Sequence, residues 1–132
     1  MREILFRGKK TGFNEWVQGL IVSPCEKTMC ELKQTNPNVI WLVDAETVGQ
    51  YTGLTDKKGQ KIFEGDILFY EYGDLKKRGF VFYFDIGAKF GIKENDGHDN
   101  LSLLHDTQVK DWNIKVIGNI HDNPELLKGG AE

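Results

Sequence analysis

The sequence predicts a mainly β domain, α+β only at its margin: a small, partly open SH3-like barrel with an amino-terminal β hairpin and a short carboxy-terminal helical turn. Three observations predict it. Apolar residues alternate or run in short blocks, and clusters of Gly, Asn, Asp and Pro separate them about every ten residues. Helical periodicity is scarce. The 132 residues also include eight Phe, four Tyr and three Trp, and a chain of this length can bury about two-thirds of its unfolded surface. One domain spanning 1–132 is expected, with sub-parts 1–48, the hairpin region, and 49–127, the barrel.

The elements follow from the pattern in chain order. Ile4-Leu5-Phe6-Arg7 reads as the first strand and Gly8 to Asn14 as a turn-rich connection. Glu15 to Val22 is the return strand, with Trp16, Gln18 and Leu20 on one face. After the Ser23-Pro24 and Asn36-Pro37-Asn38 breaks, Val39-Ile40-Trp41-Leu42-Val43 is an apolar run of β-branched and aromatic residues, expected to be buried on both faces. Thr47 to Tyr51 is a further strand. Thr55-Asp56-Lys57-Lys58-Gly59 predicts a tight reversal, because Asp can bond its own backbone and Gly can take a positive φ.

Asp66 to Tyr72 and Gly79 to Phe84 form an aromatic hairpin whose connection, Gly73 to Arg78, is expected to be a basic tip. Ala88 to Lys93, Leu101 to Leu104 and Ile114 to Ile120 complete the meander. The last segment is the one convincing helix start. Asp122 or Asn123 can cap it, Pro124 suits the first helical position, and Leu126 and Leu127 continue the turn.

Composition narrows the function classes. A net charge of −3 with scattered cations lacks the broad basic footprint of a protein held on phosphate backbones. Cys25 and Cys30 are the two cysteines, and with no second pair to complete a four-ligand zinc site they are expected to be reduced thiols in or beside a strand. Neither a leader nor an apolar run of bilayer length is visible, so the cytoplasm is expected and a membrane is not.

The motifs that invite chemistry have plainer readings. Glu64-Gly65-Asp66 between two apolar segments is a turn; its alternative is an acidic site of Asp56, Glu64 and Asp66 holding a divalent cation. The pairs His98-Asp99, His105-Asp106 and His121-Asp122 lie in polar, turn-like segments, unlike the helices that build a His-Asp metal hydrolase. Ser102 with His105 and Asp106 lacks a nucleophile elbow, and Gly8-Lys9-Lys10-Thr11-Gly12 lacks phosphate-loop spacing. No catalytic residue, metal or cofactor is expected.

The aromatic stretch Phe69, Tyr70, Tyr72, Phe80, Phe82, Tyr83 and Phe84 is different. Beside Lys76, Lys77 and Arg78 it offers stacking surfaces for single-stranded nucleic acid. Alternation, however, places Phe80, Phe82 and Phe84 on one face and Val81 and Tyr83 on the other, so both faces need cover. An oligomer interface or a second packed layer is the favoured reading, ahead of simple core packing and then of the nucleic-acid face, with Tyr70, Tyr72, Lys76, Lys77, Arg78, Phe80, Phe82 and Phe84 as candidate contacts.

Three stretches carry a family resemblance: Met1-Arg2-Glu3-Ile4-Leu5-Phe6-Arg7, the central Gln50 to Ile67, and Val116-Ile117-Gly118-Asn119-Ile120-His121-Asp122-Asn123-Pro124-Glu125-Leu126-Leu127. Together they resemble the phage-derived YopX-like proteins. Leu5 stands where Lys is common in that family and Phe63 where Tyr is common. The resemblance implies a small cytoplasmic accessory protein of phage or prophage origin, and it brings no enzymatic activity with it. Its most specific residues, Tyr51, Thr52, Gly53, Leu54, Asp56, Gly59, Glu64, Gly65 and Asp66, are read as structural. The expected function is a self-associating binding or structural module, a homo-oligomer with a host or phage protein partner. A nucleic-acid-binding small barrel is the alternative, and a metal-dependent hydrolase the second.

Overall fold

The computed structural model describes residues 4–22, 28–35, 37–84, 89–94, 101–103 and 111–127. The chain is mainly β and forms two compact units, Met1–Tyr51 and Thr52–Glu132.

In the first unit, β1 (Phe6–Lys9), β2 (Trp16–Ile21), β3 (Met29–Thr35) and β4 (Asn38–Asp44) precede a 3-10 turn at Ala45–Thr47, and β5 (Gly49–Thr55) begins there. The strands are antiparallel in the order β4-β3-β2-β1-β5. The β1–β2 hairpin closes where the Lys10 amide donates to the Glu15 carbonyl at 2.9 Å, with the Lys10 ammonium 2.8 Å from the Glu15 carboxylate. Thr47 fastens the 3-10 turn to β1. Its hydroxyl donates to the Asp44 carbonyl at 2.6 Å and accepts from the Lys9 amide at 2.9 Å.

The first core holds Cys30, Leu32 and Val43, with Phe6, Val17, Trp41 and Val48 packed on them. The sheet curls tightly enough for Lys10 to bridge Val43. A Cβ on Gly8 would lie 2.7 Å from a Val43 methyl, so only glycine lets the strands approach this closely.

Several expectations are corrected here. The first strand begins two residues later than the apolar pattern placed it, because Gly8 and Lys9 pair with Val17 and Trp16 and are not part of the connection. Strand β3 was not anticipated; its apolar signal toward the core is only Cys30 and Leu32. The run Val39–Val43 is not buried on both faces: Val43 is buried, but Ile40 and Leu42 are each 51% exposed. Thr47 belongs to the 3-10 turn rather than to a strand. Cys30 is buried and disulfide-bonded where a reduced thiol was expected; that expectation rested on compartment, which the chain's composition does not fix. Cys25 lies outside the described residues.

In the second unit, the end of β5 is followed by β6 (Lys61–Phe63), β7 (Asp66–Tyr72), β8 (Leu75–Phe84), β9 (Lys89–Glu94), β10 (Leu101–Leu103), β11 (Lys115–Asn119) and a 3-10 turn at Pro124–Leu127. Five of these form an open antiparallel sheet in the order β10-β9-β8-β7-β11, and no barrel closes among the described residues. Its inner face supplies the second core: Leu68, Tyr70, Val81, Phe90 and Ile92, joined by Ile62 and Ile114. A bulge between Val116 and Gly118 bends β11 along β7.

The β7–β8 connection differs from the basic tip expected. Tyr72 pairs with Leu75, so the turn is Gly73-Asp74 alone, with Gly73 at φ +63° in the position that a type II′ turn reserves for glycine. Lys76, Lys77 and Arg78 are therefore strand residues, because a two-residue turn leaves nothing else to connect. At the carboxy terminus a 3-10 turn forms with Asn123 at its N-cap position, but the Asn123 side chain does not cap it. That side chain accepts from the Asn119 amide at 3.2 Å, and the Asn123 backbone carbonyl receives the Leu126 amide at 3.0 Å.

Candidate interaction surface

The central signature residues are engaged in holding backbone. Asp56, 5% exposed, accepts the amides of Lys58 and Gln60 at 2.9 Å on Oδ1 and the amide of Val116 at 3.0 Å on Oδ2. One carboxylate thus closes the β5–β6 turn and ties it to β11. Gly59 stands at φ +85° and donates to the Asp56 carbonyl at 2.9 Å, and Lys57 donates to the Ile114 carbonyl at 2.9 Å. Asp66, 1% exposed, accepts the Phe63 amide at 2.7 Å, bridging the turn Glu64-Gly65. Gly65, at φ +93°, donates to the Val81 carbonyl and accepts the Ile120 amide, both at 2.9 Å.

Thr52 donates to the Ile62 carbonyl at 2.9 Å and accepts the Leu54 amide at 3.2 Å, around Gly53 at φ +92°. Tyr51 is buried and Glu64 half-buried. Three distant parts of the second unit therefore meet through carboxylates and amides, in the arrangement of Asx turns. Among the described residues, no three His, Cys, Asp or Glu side chains gather as metal ligands would. His121 and Asp122 both donate their amides to Asn119 Oδ1, at 3.0 and 2.9 Å. The other two His-Asp pairs lie outside the described residues, as does the Ser102 side chain.

The aromatic strands divide by face. Tyr70, expected at an interface, is instead a core residue with no exposed surface, stacked on Trp112 at 5.5 Å. Phe80 and Phe82 share the opposite face, half-buried, with ring centroids 6.4 Å apart. The register sets Phe69 beside Arg78 and Lys115, and Phe80 beside Lys93. The three neighbouring cations do not converge: Lys76 is exposed, Lys77 lies opposite Tyr70, and Arg78 donates to the Leu126 carbonyl at 3.0 Å. Of Tyr72 and Phe84, only the backbone is described.

The surface that the sequence did not locate is the outer face of the first unit's sheet. Pairing places Leu20, Lys33 and Ile40 in one row across β2, β3 and β4. The next row is Val22, Glu31 and Leu42, joined by the Val22 amide donating to the Glu31 carbonyl at 3.1 Å and by the Glu31–Leu42 pair. Met29 extends the patch. Leu20, Val22, Met29, Ile40 and Leu42 are 45, 46, 44, 51 and 51% exposed. Single exposed apolar residues are ordinary, but here five share one sheet face, Leu20 and Val22 on one side and Ile40 and Leu42 on the other of a central strand that carries Lys33, Glu31 and Met29.

An open groove of about 590 Å³ adjoins this face, lined in part by Leu5, Trp16, Gln18, Leu20, Lys33 and Thr35. The Arg7 guanidinium lies 4.8 Å from the Trp16 ring centroid, a cation–π contact that holds the indole in place. Trp16, Gln18 and Leu20 were legible as one face. The exposed apolar residues of β4, across β3 from them, were not, since an unbroken apolar run conceals which side is uncovered.

Among the described residues, no helix is long and apolar enough to cross a membrane. No curated protein matches the chain. The crystal structure of protein EF1440 from Enterococcus faecalis is similar over 97% of this chain and 100% of that one, at 26% identity and a TM-score of 0.60. The family model described as YopX protein matches residues 5–128, a span that takes in the Asp56, Gly65 and Asp66 turns and the Asn119 turn alike. The chain belongs to the YopX family.

Proposed function

We propose that the protein is a self-associating binding or structural module of phage or prophage origin, and not an enzyme. The observation that carries this reading is the exposed apolar residues Leu20, Val22, Met29, Ile40 and Leu42 gathered on one sheet face. Leaving such a face in water opposes solubility, and covering it with protein yields roughly 25 cal/mol for each Å² removed from solvent. The signature carboxylates support the same reading, because Asp56 and Asp66 are bonded to backbone amides. The setting we propose is the cytoplasm of a bacterial host.

Sedimentation equilibrium tests the reading. The expected mass is a multiple of 15.1 kDa at micromolar concentration. A monomer across the whole range rejects it.

A further inference from the structure

We infer that a second copy of this chain docks face to face on the outer surface of β2, β3 and β4, with Lys33 of each copy meeting Glu31 of the other. The inference rests on the self-association reading and supplies its geometry. Closed pairs of identical chains are built on a two-fold axis, so the surface has to complement itself. For two sheets packed face to face about 10 Å apart, that axis lies in the plane between them.

Two directions are open to such an axis on this face. An axis along β3 would set Lys33 against the partner's Lys33 and Glu31 against the partner's Glu31. Like charges so placed are repelled, and the repulsion grows as the apolar rows exclude water. An axis across the strands, passing over Leu32, exchanges the two rows instead. Lys33 then faces the partner's Glu31, Leu20 faces the partner's Val22, and Ile40 faces the partner's Leu42.

The register supports this choice. Leu20–Lys33–Ile40 and Val22–Glu31–Leu42 each carry a charge on the central strand flanked by an apolar side chain on either side. Exchanging the rows pairs opposite charge with opposite charge and apolar with apolar. An unrelated partner would not require one row to be the charge complement of the other. The groove beside Trp16 and Leu20 lies at the margin of this contact.

Charge reversal tests the pairing, with mass read by sedimentation and folding by circular dichroism on the full chain. Lys33→Glu and Glu31→Lys should each weaken self-association by about 10- to 100-fold. The double variant should restore it, and mixing the two single variants should give a heterodimer tighter than either homodimer. If the wild-type chain is monomeric, the self-association reading falls and this inference with it. If the wild type associates but the single variants keep its affinity, or lose it without restoration in the double variant and the mixture, the reading stands and this interface is wrong.

Discussion

Asp56→Ala is expected to destabilise the second unit by about 2–4 kcal/mol, read as an earlier urea midpoint with an unchanged slope. The carboxylate is 5% exposed and accepts three backbone amides, from Lys58, Gln60 and Val116. Alanine leaves all three without that acceptor. Lys58 and Gln60 are exposed, so their amides can turn to water at modest cost. Val116 is half-buried on β11, and losing its acceptor also removes one of the two bonds that tie the β5–β6 turn to β11 and its approach, leaving that of Lys57 to Ile114. Asp56→Asn keeps one acceptor oxygen and should fall between the two. An unchanged midpoint for the alanine variant would show that the carboxylate does not hold this turn.

Tyr70→Ala is expected to cost about 3–5 kcal/mol, the range for removing a large aromatic side chain from a core. Tyr70 has no exposed surface and packs among Leu68, Val81, Phe90, Ile92, Ile62 and Ile114. It also stacks on Trp112 with an interplanar angle of 19°, a contact that adds to the area it buries. Truncation opens a cavity that neighbouring β-sheet backbone, fixed by its hydrogen bonds, can only partly close. Urea unfolding measures the loss, and the near-ultraviolet circular dichroism band of Trp112 should weaken as its neighbour disappears. A variant as stable as wild type would place Tyr70 at a surface rather than in the core.

The turns were legible because their chemistry is local. Asp56 with Gly59, and Glu64-Gly65-Asp66, announce themselves within five residues. Strand β7 has the limits the sequence predicted, Asp66 to Tyr72, because alternating large residues sit between a turn carboxylate and a glycine. The bond from the Val116 amide to Asp56 spans 60 residues of chain and has no sequence signal at all. Lys76, Lys77 and Arg78 resemble loop residues by their charge, whereas Gly73 and Asp74 suffice for the turn.

The apolar face of the first unit was hidden for a different reason. Burial of Ile40 and Leu42 depends on whether another layer covers β4, and a local pattern records only the strand's own composition. Strand β3 escaped because Cys30 and Leu32 were too few to announce alternation among Glu31, Lys33 and Gln34. Once β3 stands between β2 and β4, the two exposed rows follow from register.

The central claim is that the carboxylates of the family signature bend and hold backbone. Amide hydrogen exchange reads those bonds directly. Lys58 and Gln60 are exposed turn residues, so their amides would exchange quickly unless Asp56 Oδ1 holds them. The account predicts that both amides, with those of Val116 and Phe63, exchange slowly in the native protein, and that Asp56→Ala releases the first three while Phe63 stays protected by Asp66. Fast exchange of Lys58 and Gln60 in the wild-type chain would contradict it.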